Sequence, residues 1–329
     1  MRLRQQFQHV TSGGRSDDPA VTALSRYPPA LSGFAFGDTP FTRADALRGD
    51  VETMAKLWPR AKVLVLDEDG TAFADANGAL LVYPGARLRP APGDALLLGL
   101  DGELAWFAVD AGSVEVSAPQ RTDLRHAASN WPSAYAAAFA FARAMQHWRS
   151  RNRFCGACGE PVELRRGGYV VHCARCASDS YPRVDPAVIV AVSDGERLLL
   201  GRQAGWPERR FSVVAGFVEP GESLEQTVVR EVFEETRVRV RSCRYLGAQP
   251  WPFPGALMLG FIADAEADPP QVDGELEEAR WFSVEEIGAA RTRGKDDLEG
   301  ILLSPRISIA RSLIEYWYQD ITTSRRAAP

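Results

Sequence analysis

The chemistry of this chain concentrates between Gly216 and Val238, in the run GFVEPGESLEQTVVREVFEETRV. Glu222 follows Gly216 after five residues, Arg230 and Glu231 follow after seven more, and Glu234 and Glu235 come next. Val213-Val214-Ala215 reads as the end of a strand, Gly216 and the Glu-Pro-Gly-Glu turn as a loop, and Ser223 as a helix N-cap. On the helix that follows, Glu231 and Glu235 are one turn apart and Glu234 is three residues from Glu231, so the carboxylates share one face. Leu224, Val228, Val229 and Val232 make most of the opposing apolar stripe. Like charges crowded this way repel one another, and a hard divalent cation, Mg²⁺ or Mn²⁺, removes the conflict while bridging carboxylates to substrate phosphates. Arg230 is suited to hold a Glu by a charge-assisted hydrogen bond and so fix the loop against the helix. The plain alternative is a solvated acidic helix; the fixed spacing of glycine, loop and arginine argues against it.

A second constellation precedes it. Cys155 and Cys158 form one C-x-x-C pair, and Cys173 and Cys176 form another after fourteen residues. Each pair is a knuckle whose thiolates reach one ion, and together they supply the four ligands of a tetrahedral, structural Zn²⁺, one per chain. Val162 to Leu164 and Tyr169 to His172 read as the strands of a ribbon hairpin between the knuckles. A redox C-x-x-C is the rival reading; two pairs in one short hairpin favour zinc. Cys243 reads as a buried free thiol. Arg149, Arg151, Arg153, Arg165, Arg166, Arg175 and Arg183 surround the ribbon. They read first as a solvated surface, with a phosphate- or RNA-facing patch as the minority reading.

These groups need scaffolds. The 329 residues suffice for two or three cores, and 45% apolar with 25% charged residues is an ordinary soluble composition. The net charge of −5 argues against a chain coated for nucleic acid. The opening MRLRQQFQHVTSGG lacks the apolar core of a signal peptide, and no apolar run reaches membrane-span length. Four paired cysteines in two knuckles suit a reducing compartment, so the cytoplasm is expected. Residues 1 to about 20 read as a flexible lead. Ala61 to Leu66, Ala79 to Tyr83, Ala95 to Leu100 and Glu103 to Val109 read as strands split by Asp-Gly and Asn-Gly turns. Ser133 to Arg149, rich in alanine with aromatics on one side, reads as a helix packed on them, and His126 and His147 as structural. Strands are expected at Ala187 to Val192, Arg197 to Leu200, Arg239 to Leu246 and Ala256 to Ala263. A helix begins near Val284, and Ser308 to Tyr318 forms a last one before a disordered tail.

The run from Gly216 resembles the signature of the Nudix hydrolases: Gly, five residues, Glu, seven residues, Arg-Glu, an aliphatic, any residue, Glu-Glu, any residue, Gly, an aliphatic. One position departs, since Arg237 stands where the family has its last Gly, a helix end suited to positive φ. The four-Cys ribbon, this box and then Gln249-Pro250-Trp251-Pro252-Phe253-Pro254 resemble one branch, the NADH pyrophosphatases. The Pro-spaced aromatics also suit, by themselves, a stacking wall for a flat ring, with a structural loop around a buried Trp as the alternative. The family array carries Ser where this chain has Ala248 and Ala256.

The resemblance implies an α+β chain: a Nudix α/β/α sandwich with a mixed sheet, preceded by a zinc ribbon and a β-rich N-terminal domain. The expected division is 1–150, 151–180, 181–322 and a tail at 323–329. It implies hydrolysis of the pyrophosphate of NADH, NAD and related dinucleotides to mononucleotides, removal of NAD caps from RNA 5′ ends, and a homodimer. Carried over by motif position, Glu231, Glu235 and the Ala215 carbonyl match ligands of two or three Mg²⁺ or Mn²⁺ ions. Glu278 matches a further acidic ligand, with Glu277 its competitor. Glu222 and Arg230 complete the box, and Glu234 or Glu231 is the candidate proton acceptor. Tyr181, Phe217 and Trp251 match positions at the nicotinamide end; Arg125 and Ala310 match substrate contacts. The other reading is a catalytically weak Nudix-fold sensor that binds a nucleotide or RNA.

Overall fold

The computed structural model describes residues 31–39, 41–88, 95–272, 274–293 and 299–327. The expected flexible lead lies outside them. Strands β1 (Lys62–Leu66), β2 (Ala72–Ala74), β3 (Val82–Pro84), β4 (Leu96–Asp101), β5 (Leu104–Asp110) and β6 (Gln120–Thr122) form a sheet in the order β4-β5-β1-β2-β6, with β3 on β1. The period of two sorts β1 between two cores. Leu64 and Leu66 face one, and Val63 and Val65 face the other. Helix α1 (Val51–Leu57) precedes the sheet, and α2 (Leu124–Asn130) and α3 (Ser133–Arg151) follow it. Phe139, Met145 and Trp148 of α3 close the core over Leu64 and Leu66.

The ribbon is a three-stranded sheet of β7 (Glu163–Arg165), β8 (Val170–Cys173) and β9 (Ser178–Ser180), one strand more than expected.

The third part is built on β10 (Asp185–Ser193), β11 (Arg197–Arg202), β12 (Arg210–Phe211), β13 (Val214–Phe217), β14 (Val240–Trp251), β15 (Ala256–Ala265), β16 (Glu278–Ser283) and β17 (Leu302–Leu303). Its main sheet runs β14-β15-β10-β11-β16; β10 and β15 are parallel and the other pairs antiparallel. Along one edge of β10, β13 takes Ala187–Val190 and β11 takes Val192–Ser193, so the sheet splits there. Val188, Val190 and Val192 pack under α4 (Leu224–Thr236). Ile189 and Ala191 pack on the opposite face, under Leu313, Ile314 and Trp317 of α6 (Ile309–Ala327). Helix α5 (Val284–Thr292) completes that layer. Helix, sheet and helix make the sandwich that the resemblance implied.

Three local expectations change. Strand β14 continues to Trp251, so Gln249-Pro250-Trp251 is strand and not loop; Pro250 is tolerated because β14 is an edge. Helix α6 runs to Ala327, past Tyr318 and into the expected tail; residues 328 and 329 lie outside the described set. On α4, Val229 is exposed, and Glu235 shares the buried side with Val228 and Val232. The seven-residue spacing from Val228 to Glu235 returns to the same helix face, which explains the inversion.

Candidate active site

Ser223 caps α4 through a full capping box with Gln226, which fixes where the helix starts and therefore where each Glu points. The helix ends at Arg237, whose φ of 59° is left-handed, the geometry that the family glycine would suit.

Arg230 is the hub. Its Nε and Nη2 donate to both oxygens of Glu222, at 2.7 and 3.0 Å. Nη1 lies 2.9 Å from Glu231 Oε1 and 3.1 Å from Glu234 Oε2, and Nη2 donates to the Phe217 carbonyl at 2.9 Å. One guanidinium thus ties loop, strand and helix together and relieves the carboxylate repulsion. Glu222 also accepts from the Glu219 N–H and the Thr227 hydroxyl. The Arg230 contact first, and these two after it, hold its carboxyl down at about 2. Burial pushes the Glu231 carboxyl up, and the charges of Glu234 and Glu275 add to this against the pull of Arg230. The Glu231 carboxylate lies on Gly216, where any Cβ would overlap it.

Glu235 is 4% exposed and lines a pocket of about 170 Å³. Ala215, Trp251 and Ala310 line the same pocket, so residues read from four separate parts of the sequence converge there. Among the described residues, the four cysteines are the group of three or more His, Cys, Asp or Glu whose ligand atoms all lie within 4.8 Å of one another; the box carboxylates are not gathered that way. Glu231 and Glu234 are drawn to Arg230 while Glu235 turns into the pocket. Glu277 is engaged by Arg202 at 2.6 Å, whereas Glu278 is 3.7 Å from Arg280, which favours Glu278 over its competitor as a ligand.

The aromatic residues divide. Tyr181 and Phe217 are 52% and 60% exposed, available to a ligand but outside the pocket. Trp251 and Phe253 meet at a tilt of 57°, 4.9 Å between ring centres, and pack against the N-terminal core. Arg125 sits over the Phe253 ring at 4.2 Å and over Trp251 at 5.8 Å, so this residue of α2 does reach the aromatic stretch. Pro252 accepts from Arg143 through its carbonyl, and Pro250 and Pro254 line a different hollow from the one at Glu235. Gln249 has a structural task that the sequence did not show. It is fully buried, its Nε2 donates to the Ala35 and Ile307 carbonyls at 2.9 and 2.7 Å, and its Oε1 accepts from the Ile309 N–H at 2.8 Å. Its side chain holds the start of α6 from the wall of the same pocket that Glu235 lines.

Sequence reasoning missed Gln203, Trp206 and Ser308 in the pocket and Glu275 beside Glu231. Glu275 had a signal, lying in the acidic Gly274-Glu275-Leu276-Glu277-Glu278 run. Trp206 stands in a loop between β11 and β12 and carried none.

The four thiols fit zinc. Cys158 and Cys173 Sγ are 3.6 Å apart, close to the about 3.8 Å edge of a tetrahedron with ordinary Zn–S bonds. The Ala157 and then the Cys158 backbone N–H groups, with the Ser178 hydroxyl, pull the Cys155 thiol down to about 6, towards the thiolate a metal needs. Cys243 is half-buried, and burial raises its thiol. Of the basic residues around the ribbon, Arg165, Arg166 and Arg175 are paired to Glu163, Asp45 and Glu160. That neutralises part of the expected patch. Among the described residues no helix is long and apolar enough to cross a membrane.

Comparison with known proteins places a NUDIX domain at residues 183–302 and an NADH pyrophosphatase zinc ribbon domain at residues 150–181. The chain is 40% identical over 288 residues to the NAD-capped RNA hydrolase NudC of Mycobacterium tuberculosis (strain ATCC 25618 / H37Rv), covering 84% of this chain and 91% of that protein. The same figures hold for NudC of Mycobacterium bovis (strain ATCC BAA-935 / AF2122/97). The human NAD-capped RNA hydrolase NUDT12 is 38% identical over 239 residues, covering 66% of this chain and 51% of that protein.

Proposed function

Because the chain belongs to the NADH pyrophosphatase branch of the Nudix hydrolases, alongside the NAD-capped RNA hydrolases, we propose that it cuts the diphosphate of NADH and NAD to AMP and the nicotinamide mononucleotide. The same cut removes an NAD cap from an RNA 5′ end, since the scissile bond is identical in both substrates. The observation that carries this reading is the convergence of Glu235, Ala215, Trp251 and Ala310 on one pocket, next to the hub at Arg230.

Glu231, Glu235, Glu278 and the Ala215 carbonyl would hold two or three Mg²⁺ or Mn²⁺ ions, all hard oxygen donors. Bound there, the ions would neutralise the diphosphate and lower the pKa of a water. Arg230 keeps the loop and helix in register, so the backbone that carries the carboxylates is already in place when metal and diphosphate bind. Arg230 holds both candidates, and Glu231, the more buried and with its proton affinity raised by that burial, is the better proton acceptor; Glu234 is more exposed. Trp251, Phe217 and Tyr181 offer ring faces to the nicotinamide end, and Arg125 steadies the aromatic stretch. The enzyme works as a homodimer in the cytoplasm.

Purified protein is given NADH with Mg²⁺ or Mn²⁺, and AMP and reduced nicotinamide mononucleotide are measured. Release of both supports the reading, and Glu235→Gln should then collapse turnover while the fold survives. A near-native rate in that variant would sink the site. No release from NADH or from NAD-capped RNA would overturn the reading in favour of a nucleotide-binding sensor.

A further inference from the structure

A larger hollow, of about 690 Å³, lies where α3, Tyr169 of the ribbon and the Pro-rich end of β14 meet. That volume suits a small organic ligand. Much of its wall is apolar, including Phe36, Phe141, Trp148 and Trp251. Its charge is one-sided: Arg43, Arg48, Arg151 and Arg183 line it with His147, against the single carboxylate of Asp185. Among the described residues no carboxylate pairs with Arg43, Arg151 or Arg183.

Two of the guanidiniums are held in place. Arg43 Cζ lies 3.8 Å from the centre of the Phe141 ring, and Arg48 Cζ lies 3.5 Å from that of Tyr169. The two rings are 6.2 Å apart, so the arginines are seated side by side on a short aromatic comb. Arg48 reaches Asp45 at 3.1 Å through Nη1, and the Tyr169 hydroxyl interacts with both Arg43 and Arg48. Burial and the neighbouring Arg48 charge hold Arg43 below its ordinary value. Adjacent cations in an apolar hollow are costly unless an anion joins them.

We propose that this hollow is a second nucleotide site, taking a mononucleotide with its phosphate on Arg43 and Arg48 and its base against Trp251. Guanidinium forks match phosphate oxygens, and an aromatic face takes any base. Trp251 lines both this hollow and the pocket at Glu235, so the two sites share a wall. A mononucleotide leaving the pocket would have a place to rest one side chain away. That last point rests on the proposed reaction; the site itself does not.

The test is calorimetric titration of AMP into the full, zinc-loaded chain in buffer free of Mg²⁺ and Mn²⁺. Arg43→Ala and Arg151→Glu, the second on the exposed end of α3, should each weaken AMP binding at least tenfold. The thermal midpoint of Arg151→Glu and the KM for NADH should not move. AMP binding unchanged in both variants, or lost in Glu235→Gln instead, overturns the proposal. Arg43-dependent binding of a 5′-phosphorylated oligoribonucleotide without binding of AMP also overturns it, in favour of an RNA path. A chain that binds AMP through these arginines but never cuts NADH would sink the catalytic reading and leave this site standing.

Discussion

The Glu231 carboxylate rests on Gly216, in the space that a side chain there would fill. The glycine of the box is therefore a matter of room. Gly216→Ala should displace Glu231 by the width of a methyl group and cut turnover about 100-fold, the usual scale for a misplacement near 1 Å. Overpacking should also cost about 1–3 kcal/mol. Steady-state kinetics beside a melting curve checks both, and an unchanged turnover would remove Glu231 from the machinery.

Glu222 links stability to pH. Arg230 holds its carboxyl at about 2 in the folded chain, below the ordinary 4.5. The stabilisation is complete above the ordinary value. It is lost as pH falls from there towards 2, because the unfolded chain takes a proton that the folded chain refuses. Wild type should therefore melt above Glu222→Gln at neutral pH, and the two midpoints should converge as pH approaches 2. Parallel curves over that window would contradict the assignment.

Arg237 sits in left-handed geometry at the end of α4. A non-glycine residue there carries a steric cost, so Arg237→Gly should raise stability by about 0.5–1 kcal/mol. Activity should be unchanged, since the substitution removes no carboxylate of the box. Chemical denaturation measures the gain; a loss of stability would show that the Arg237 stack on Phe233 outweighs the backbone strain.

Gln249 acts as a tether. Gln249→Leu leaves the Ile309 N–H and the Ala35 carbonyl without their Gln249 partner, while the Ile307 carbonyl keeps the Ala35 N–H, at a cost of about 2–4 kcal/mol. The effect should appear in the melting midpoint far more than in KM. A large rise in KM at native stability would return Gln249 to the substrate.

Local chemistry was legible in the sequence because it depends on spacing. Two knuckles fourteen residues apart can meet only around one ion, and Ser223, Arg230 and the box carboxylates fall on one loop and one helix. The positive φ at position 237 could be read from the glycine that the motif expects. The strand alternation around Leu64 and Val188 follows from a period of two, so the layers were legible too. Spacing could not say which side of α4 would be buried. That depends on the sheet beneath it, where the valines of β10 claim Val228 and Val232 while Glu235, buried on the same helix, lines the pocket. Nor could it separate Glu277 from Glu278, adjacent in sequence, until Arg202 on the neighbouring strand took one of them. Nor could it show that Gln249, on the wall of the pocket, would also hold Ala35 and Ile309. The sequence determined which groups exist and at what local pitch; tertiary structure decided which were used up, because hydrogen bonds and burial are settled by partners that lie far apart along the chain.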